Sequence, residues 1–225
     1  MSEKIITLLA DSFWKILLPG ITATIPLTII SFTLALIIAT VTALVQFARI
    51  PVLTPLARFY IWIIRGTPLL VQLFVIFFGL PRIGVVLEPF PAAIIVFAVN
   101  TGAYDAETVR AALESVPRGQ LEAGECAGMT YWQTMRRIVL PQAMRTAFPS
   151  LSNSLISLVK DTSLAANITV SEMFMTTQRI VARTYEPLAL YIEVGAIYLI
   201  FSTVLTWLQG RGEKRLNAYQ KQEVK

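Results

Sequence analysis

Two adjacent charged residues, Lys160 and Asp161, stand in an apolar stretch, with residues 155–159 before them and 164–166 after them. Charges inside a membrane span are costly and usually serve function. Successive residues of a helix point about 100° apart, so the two face different surroundings. We predict that Asp161 faces a solute path, where its carboxylate can bind an ammonium group. Lys160 either pairs with a carboxylate elsewhere or extends to the outer membrane interface.

Three further polar residues are weaker candidates for solute contact. Thr67 followed by Pro68 is typical of a helix N-cap with proline at the first position. Such a start leaves backbone N–H groups for a carboxylate, with Gln72 one turn further on, or it is simple capping. Asn100 and Glu107 share a helix face, which is typical of either a polar path or helix–helix hydrogen bonds.

Several kinds of chemistry are excluded by residue types that the sequence lacks. It contains no histidine and a single cysteine, Cys126, so we expect no histidine base or metal site and no intrachain disulfide. It also lacks the G-x-x-x-x-G-K-[ST] phosphate loop, so this chain does not itself hydrolyse ATP. We therefore predict a chain that is not an enzyme and binds no metal or cofactor.

Composition indicates the elements that position these residues. The chain is 55% hydrophobic and only 15% charged, with a mean hydropathy of +0.64, and residues 16–48 carry no charge. A span needs about 20 predominantly apolar residues. We predict an all-α membrane protein with five spans, roughly 20–47, 57–80, 89–112, 143–169 and 188–210. Residues 1–16 form an interfacial segment rather than a cleavable signal, residues 17–212 the transmembrane domain, and residues 213–225 a basic tail.

Basic residues concentrate in alternate connections, which predicts the orientation. They lie in the 48–58 loop, in residues 116–145 and in the tail, where Arg211 and Lys221 are examples. The positive-inside rule places these segments in the cytoplasm and the N-terminus outside, which requires an odd number of spans. The sequence pI of about 9.5 therefore reflects loop asymmetry and implies contact with membrane lipid, without nucleic acid.

Residues 117–141 form a polar segment that predicts two short helices. Pro117 suits a first helical position, and Gly128 suits a left-handed helix end. Thr130 with Gln133 three residues later is typical of a capping box that starts the second helix. Pro141 then ends that helix. Such a segment is either a solvated connection or a bent surface on which a partner docks.

Motifs along the chain resemble one family. They are Arg-Gly-Thr-Pro at 65–68, Asn-Thr-Gly-Ala-Tyr at 100–104, Gly-Gln-Leu-Glu-Ala at 119–123, Ile-Val-Leu-Pro-Gln-Ala at 138–143 and Lys-Asp-Thr-Ser-Leu at 160–164. In this order they resemble the polar amino-acid permease family of ATP-binding-cassette (ABC) importers over residues 17–212, with cystine-type permeases the most similar. Gly124 stands where the family's EAA motif has a second alanine, which predicts a looser first coupling helix.

The resemblance implies a type I importer in the bacterial plasma membrane. Two copies, or this chain and a similar permease, form the dimer that lines the path. A P-loop ATPase dimer, which binds ATP and Mg²⁺, grips the coupling residues, and an extracytoplasmic binding protein delivers the amino acid. The implied coupling residues are Glu122, Ala123, Gly128, Leu140 and Pro141. The candidate substrate residues are Asp161, Ser154, Thr67, Gln72, Asn100 and Lys160.

Ser154 bears on the substrate. It lies two turns before Asp161, at a position where relatives that carry cationic amino acids often have a carboxylate. A hydroxyl favours an uncharged side chain, so we predict a neutral polar amino acid similar to cystine. Glutamine, glutamate or a cationic amino acid are alternatives within the family. A stand-alone secondary transporter and a membrane assembly factor are the alternatives outside it, although no internal repeat supports the former.

Overall fold

The computed structural model describes residues 2–217, and within them the chain is helical throughout, without strands. The α-helices are α1 (Ser2–Pro19), α2 (Ile25–Phe47), α3 (Leu53–Arg65), α4 (Leu69–Phe74), α5 (Pro89–Glu114), α6 (Arg118–Cys126), α7 (Tyr131–Thr134), α8 (Leu140–Asp161), α9 (Met173–Thr184) and α10 (Pro187–Asn217). The all-α prediction is confirmed for these residues. Of the predicted basic tail, residues 218–225, with Lys221 and Lys225, lie outside the described residues.

Three π-helical turns directly follow α1, α4 and α7. Each of them ends two residues before a proline. They are Gly20–Thr24 before Pro26, Val75–Gly79 before Pro81, and Met135–Val139 before Pro141. Proline lacks an N–H and its ring clashes with the carbonyl four residues earlier. In each case that carbonyl belongs to the wider π turn, which gives the ring room. The prediction that Pro141 ends the second coupling helix is therefore wrong, because the chain stays helical from α7 into α8.

Within residues 2–217, two helices are long and apolar enough to cross a membrane: Glu3–Phe47, which joins α1 to α2, and Pro187–Leu216 in α10. A third candidate is the pair Leu53–Arg65 and Leu69–Ile83, which is interrupted between its two parts. The predicted third and fourth spans fall on α5 and α8, which carry more charged residues. The five-span topology therefore stays a prediction.

The helix Glu3–Phe47 has 45 residues, which is about 68 Å at 1.5 Å per residue. A hydrocarbon core is only about 30 Å thick, so a large part of this helix must lie outside it. From Glu3 onward, the predicted interfacial segment 1–16 falls within this helix, and its place at the membrane surface stays a prediction.

The described residues form two compact units. The first consists of the residues up to Leu34 with Thr67–Ala98 and Leu155–Leu205; the second consists of Ala35–Gly66, Val99–Ser154 and the described residues from Thr206. Large apolar side chains fill the core of the first unit, including Leu27, Phe97 and Leu158. Small residues dominate one cluster of the second unit, where Ala39, Ala103 and Ala106 are fully buried.

Close helix approach explains the small residues of the second unit. A Cβ atom on Gly102 would lie 3.0 Å from Ile38 Cγ2 and 3.3 Å from the carbonyl oxygen of Ala35. Helices in membranes associate largely by such packing, because lipid tails are as apolar as the side chains. α2 and α5 are thus held together where α5 carries its polar residues. The Tyr60 hydroxyl of α3 donates a 2.6 Å hydrogen bond to the carbonyl of Val99.

Candidate functional site

The first helix of the polar segment, α6, ends in a Schellman motif. The N–H of Met129 donates to the carbonyl of Gly124 at 3.0 Å, and that of Gly128 to the carbonyl of Glu125 at 2.9 Å. Gly128 has φ +73°, the left-handed conformation that glycine adopts without steric cost. The predicted helix end at Gly128 is confirmed. Pro117 takes the N-cap position and Arg118 starts the helix, one residue later than predicted.

The second helix starts with the predicted capping box. The N–H of Gln133 donates to Thr130 Oγ1 at 3.4 Å, and the N–H of Thr130 donates to Gln133 Oε1 at 2.9 Å. The two backbone donors are satisfied reciprocally, which fixes the start of α7. A left-handed glycine and a capping box within three residues give a sharp elbow between α6 and α7. We call residues 118–139 the coupling elbow.

The surface of the coupling elbow combines exposed aromatic residues with charged residues. Met135 is 1% exposed and belongs to the core, whereas Trp132 is 71% exposed. A cavity of about 460 Å³ is lined by Trp132, Gln133, Arg136 and Arg137. Exposed tryptophan and arginine side chains are enriched in protein interfaces. Glu122 and Ala123 are exposed as well, so the coupling elbow has the composition of a docking surface.

Thr67 and Gln72, two predicted substrate residues, contact each other in the first unit. Gln72 Nε2 donates to Thr67 Oγ1 at 2.8 Å and to the Thr67 carbonyl at 3.2 Å. α4 begins at Leu69, with Pro68 extended at the N-cap and no side chain capping the helix. The prediction that Thr67 caps a helix with Pro68 as its first residue is therefore wrong.

Lys160 and Asp161 end α8, and the chain continues as a 3₁₀ helix, Thr162–Ile168. Lys160 is exposed and Asp161 is half-buried, so the two side chains have different surroundings, as their adjacent positions predicted. Lys160 lines a cavity of about 450 Å³ whose wall includes the stacked rings of Phe174 and Tyr191, with centroids 5.8 Å apart. A cation beside an aromatic wall can hold a carboxylate together with an apolar group.

Ser154 and Asn100 belong to the second unit, where the structure adds a residue that sequence reasoning missed. Asn100 is buried and Ser154 half-buried. The Ser154 side chain interacts with the carboxyl of Asp105, which is 2% exposed and whose Oδ2 has no hydrogen-bond partner among the residues that the structure describes. A carboxyl therefore lies beside Ser154, although it comes from α5. The signal in the sequence was an acidic residue inside a predicted span, although Glu107 and Arg110 lie in the same span and drew attention away from Asp105.

Glu172 is a second buried carboxylate that sequence reasoning missed. Its Oε1 accepts from the N–H of Met175 at 2.7 Å, which caps α9, and its Oε2 accepts from the Tyr198 hydroxyl at 2.9 Å. Glu172 lies in the connection between the fourth and fifth predicted spans. Burial raises the pKa of this carboxyl, and the bonds from the backbone N–H groups of Phe174 and Met175 and from Tyr198 oppose the rise. Its role is to tie α9 to α10.

Comparison with known proteins identifies the family. Residues 36–218 match the model for the inner membrane component of binding-protein-dependent transport systems. This chain belongs to that family.

Individual relatives of this inner membrane component agree with the assignment. It is 49% identical to the L-cystine transport system permease protein TcyB of Bacillus subtilis over 213 residues, which is 94% of this chain and 91% of the relative. It is 36% identical to the nopaline transport system permease protein NocM of Agrobacterium fabrum, over 97% and 95% of the two chains. A chain in the crystal structure of an amino acid ABC transporter with histidines is 32% identical and superposes with a TM-score of 0.84, covering 92% of this chain and 96% of that one.

Gly124 is the position at which this inner membrane component departs from the EAA motif, and the structure gives the reason. Gly124 is buried, and a Cβ atom there would lie 2.5 Å from Thr134 Oγ1 and 2.6 Å from Thr134 Cγ2. α6 and α7 therefore approach each other more closely than an alanine permits. The expectation of a loose first helix considered intrinsic propensity alone and missed this packing, which ties α6 to α7.

Proposed function

We propose that this chain is the membrane-spanning permease subunit of an ABC importer that takes up a polar amino acid, with cystine as the favoured substrate. The observation that carries the proposal is the 49% identity to an L-cystine permease across 94% of this chain. Similarity over nearly the whole length includes both the coupling elbow and the candidate substrate residues. The L-cystine permease TcyL of Bacillus subtilis, 38% identical over 90% of this chain, supports the same substrate.

Two further subunits follow from this function. A P-loop ATPase dimer supplies the energy, since this chain lacks a phosphate loop, and it docks on the coupling elbow. The exposed Glu122 meets a cation of the ATPase there. Trp132, which is exposed in the isolated chain, becomes buried against the ATPase as the aromatic anchor of the interface. An extracytoplasmic binding protein delivers the amino acid. A second permease chain, identical or similar, completes the dimer.

The membrane topology is part of the proposal. Five spans, with the N-terminus outside, put the coupling elbow and the 48–58 loop in the cytoplasm, where the ATPase lies. The distribution of Lys and Arg supports this orientation. The alternative of three or fewer spans leaves the charged helices α5 and α8 without a role in crossing the membrane.

The amino acid is bound by the polar residues of the spans. Asp161 is half-buried and binds the α-ammonium group. Lys160 is the cation for a carboxylate, and the aromatic wall of its cavity accommodates an apolar part of the substrate. Thr67 and Gln72, which belong to the same unit as Lys160 and Asp161, supply hydrogen bonds. Cystine carries two ammonium and two carboxylate groups, so a site with both cationic and anionic residues suits it.

A cationic amino acid is the second candidate substrate. Asp105 supplies a carboxyl beside Ser154, with one oxygen that lacks a hydrogen-bond partner. That arrangement weakens the inference from Ser154 to a neutral substrate, because a cationic group can be neutralised from α5 instead. A relative that is 36% identical is named as a nopaline permease, so relatives of this chain differ in the solute for which they are named.

Uptake into proteoliposomes tests both candidates. The complete transporter, with ATPase and binding protein, is reconstituted, and ATP-dependent uptake of radiolabelled cystine, glutamine and arginine is compared. Cystine uptake that unlabelled arginine does not inhibit supports the proposal. Uptake of arginine alone supports the second candidate, and uptake without ATP identifies a secondary transporter instead. Asp161→Asn tests the proposed ammonium-binding residue by its effect on uptake. Asp11→Asn, an exposed change on α1, is its control.

A further inference from the structure

A cavity in the second unit lies where the loop after α2 meets the end of α5. It has a volume of about 620 Å³, and its lining includes Arg49, Arg58, Arg110, Glu107 and Glu114. Cavities of this size hold small ligands or headgroups. No part of the proposed transport function uses this cavity.

The charges that line the cavity are unevenly paired. Arg110 is shared by two carboxylates, with Nη2 2.8 Å from Glu107 Oε2 and Nη1 2.9 Å from Glu114 Oε1. Arg49 and Arg58 make no ion pair with any residue that the structure describes, and both are exposed at the cavity. The lining therefore carries three arginines against two carboxylates, a net charge of +1, and both carboxylates bind Arg110, so Arg49 and Arg58 are the guanidinium groups open to an anion. Guanidinium is the side chain that best matches a phosphate.

The loop that carries Arg49 is held in a strained conformation. Arg49 has φ +51° and Val52 has φ +68°, and a left-handed backbone is a genuine outlier for a β-branched residue such as Val52. Such strain persists only where the surrounding structure imposes it. Here it keeps Arg49 on the same cavity as Arg58, although Arg58 belongs to α3.

An apolar strip begins at the cavity and runs along α3. It consists of Val52, Leu56, Phe59 and Ile63, which are 73%, 58%, 58% and 39% exposed. The spacing of Leu56, Phe59 and Ile63 places them on one face of α3, and Val52 precedes the helix at its N-cap position. The strip is roughly 16 Å long at 1.5 Å per residue, against a leaflet of about 15 Å, which is half of a 30 Å hydrocarbon core.

We propose that the cavity binds the headgroup of an anionic phospholipid, with the phosphate on Arg49 and Arg58 and an acyl chain along the strip from Val52 to Ile63. Two unpaired cations at one end of an apolar strip one leaflet long match the shape and charge of such a lipid. A soluble phosphate would not explain the exposed strip. A protein partner docking on α3 would not require two unpaired arginines at the membrane interface.

Native mass spectrometry of the intact transporter tests the site. The complex is purified in mild detergent, stripped of lipid, and titrated with phosphatidylglycerol or with phosphatidylcholine. We expect each permease chain to bind phosphatidylglycerol more tightly than phosphatidylcholine. The double substitution Arg49→Gln with Arg58→Gln should weaken phosphatidylglycerol binding by roughly 10- to 30-fold, because both guanidinium–phosphate contacts of the site are lost. Phosphatidylcholine binding should not change.

Two matched variants distinguish this site from general electrostatics and from a phosphate site. Arg179→Gln with Arg183→Gln removes the same charge from α9 and should leave lipid binding unchanged. An equal loss there shows diffuse attraction and overturns the proposal. Leu56→Gln with Phe59→Gln should weaken lipid binding as well. The proposal is also wrong if soluble glycerol phosphate competes as well as the lipid does, or if the strip variant changes the oligomeric state instead of lipid binding.

Discussion

Gly124→Ala is the most informative single substitution in the coupling elbow. On helix propensity alone, alanine in place of glycine stabilises a helix by about 1 kcal/mol. The structure predicts the opposite sign, because the added Cβ atom would lie 2.5 Å from Thr134 Oγ1 and 2.6 Å from Thr134 Cγ2. The family motif prefers alanine here, so the sign of the effect distinguishes packing from propensity.

The magnitude follows from two opposing contributions. Overpacking a close contact costs about 1–3 kcal/mol, and the upper part of this range applies because Thr134 is buried and its β-branched side chain has few rotamers. After the helix-propensity gain is subtracted, the coupling elbow should lose about 1–2 kcal/mol of local stability. Thr134→Ala in the same chain removes both clashing atoms, and its hydroxyl has no hydrogen-bond partner to lose. The double variant should therefore recover most of the loss.

Amide hydrogen exchange measures this local stability directly. The Gly128 and Met129 amides donate the hydrogen bonds of the Schellman motif, so their exchange reports the opening of the coupling elbow. A loss of about 1–2 kcal/mol speeds exchange by roughly 5- to 30-fold. Gly119→Ala is the control, because it lies on the same helix with no atom near its Cβ position. That substitution should slow exchange or leave it unchanged.

Two results would refute this reasoning. If Gly124→Ala slows exchange as Gly119→Ala does, helix propensity outweighs packing and the contact with Thr134 is not tight. If Thr134→Ala fails to reverse the effect of Gly124→Ala, the strain arises elsewhere. Either outcome would restore the earlier expectation that Gly124 simply loosens the first coupling helix.

Three other predictions concern the spans and their connections. Glu172 has a raised pKa, so the folded state holds the proton of this carboxyl more tightly than the unfolded state does. The stability of the protein should therefore fall as pH rises above the ordinary glutamate pKa. Thermal unfolding of Glu172→Gln should show a flatter dependence of stability on pH. Ser154→Glu should shift uptake from cystine towards arginine, and an unchanged substrate profile would remove Ser154 from the site. Gly102→Leu should abolish folded protein, because its Cβ position already lies 3.0 Å from Ile38, whereas Gly210→Leu, in open space, should be recovered in normal yield by size-exclusion chromatography.

Local sequence patterns predicted the features that depend on neighbouring residues. The capping box at Thr130 and the left-handed Gly128 formed as expected, because each is decided within a few residues of chain. The start of α4 was misread for a related reason. Thr67 accepts a hydrogen bond from Gln72, and α4 begins at Leu69 without a side-chain cap, an arrangement that spacing alone does not settle.

Features that depend on distant residues could not be read from the sequence. The reason for Gly124 lies in Thr134, in the next helix, and the partner of Glu172 is Tyr198, 26 residues away. Asp105 is a candidate site residue only because the fold brings α5 beside Ser154, which the sequence does not show. The continuation of the helix through Pro141 depends on a preceding π turn, which has no sequence signature other than the proline itself.

The most direct test of the proposed function is uptake by the reconstituted transporter. Liposomes containing this chain, its ATPase and its binding protein should accumulate radiolabelled cystine only when ATP is enclosed in the lumen, on the same side of the membrane as the ATPase. Glu122→Arg in the coupling elbow should abolish uptake and release the ATPase from the purified complex. Cystine accumulation that persists without ATP, or that survives Glu122→Arg with the ATPase still bound, would contradict the importer function and the role of the coupling elbow.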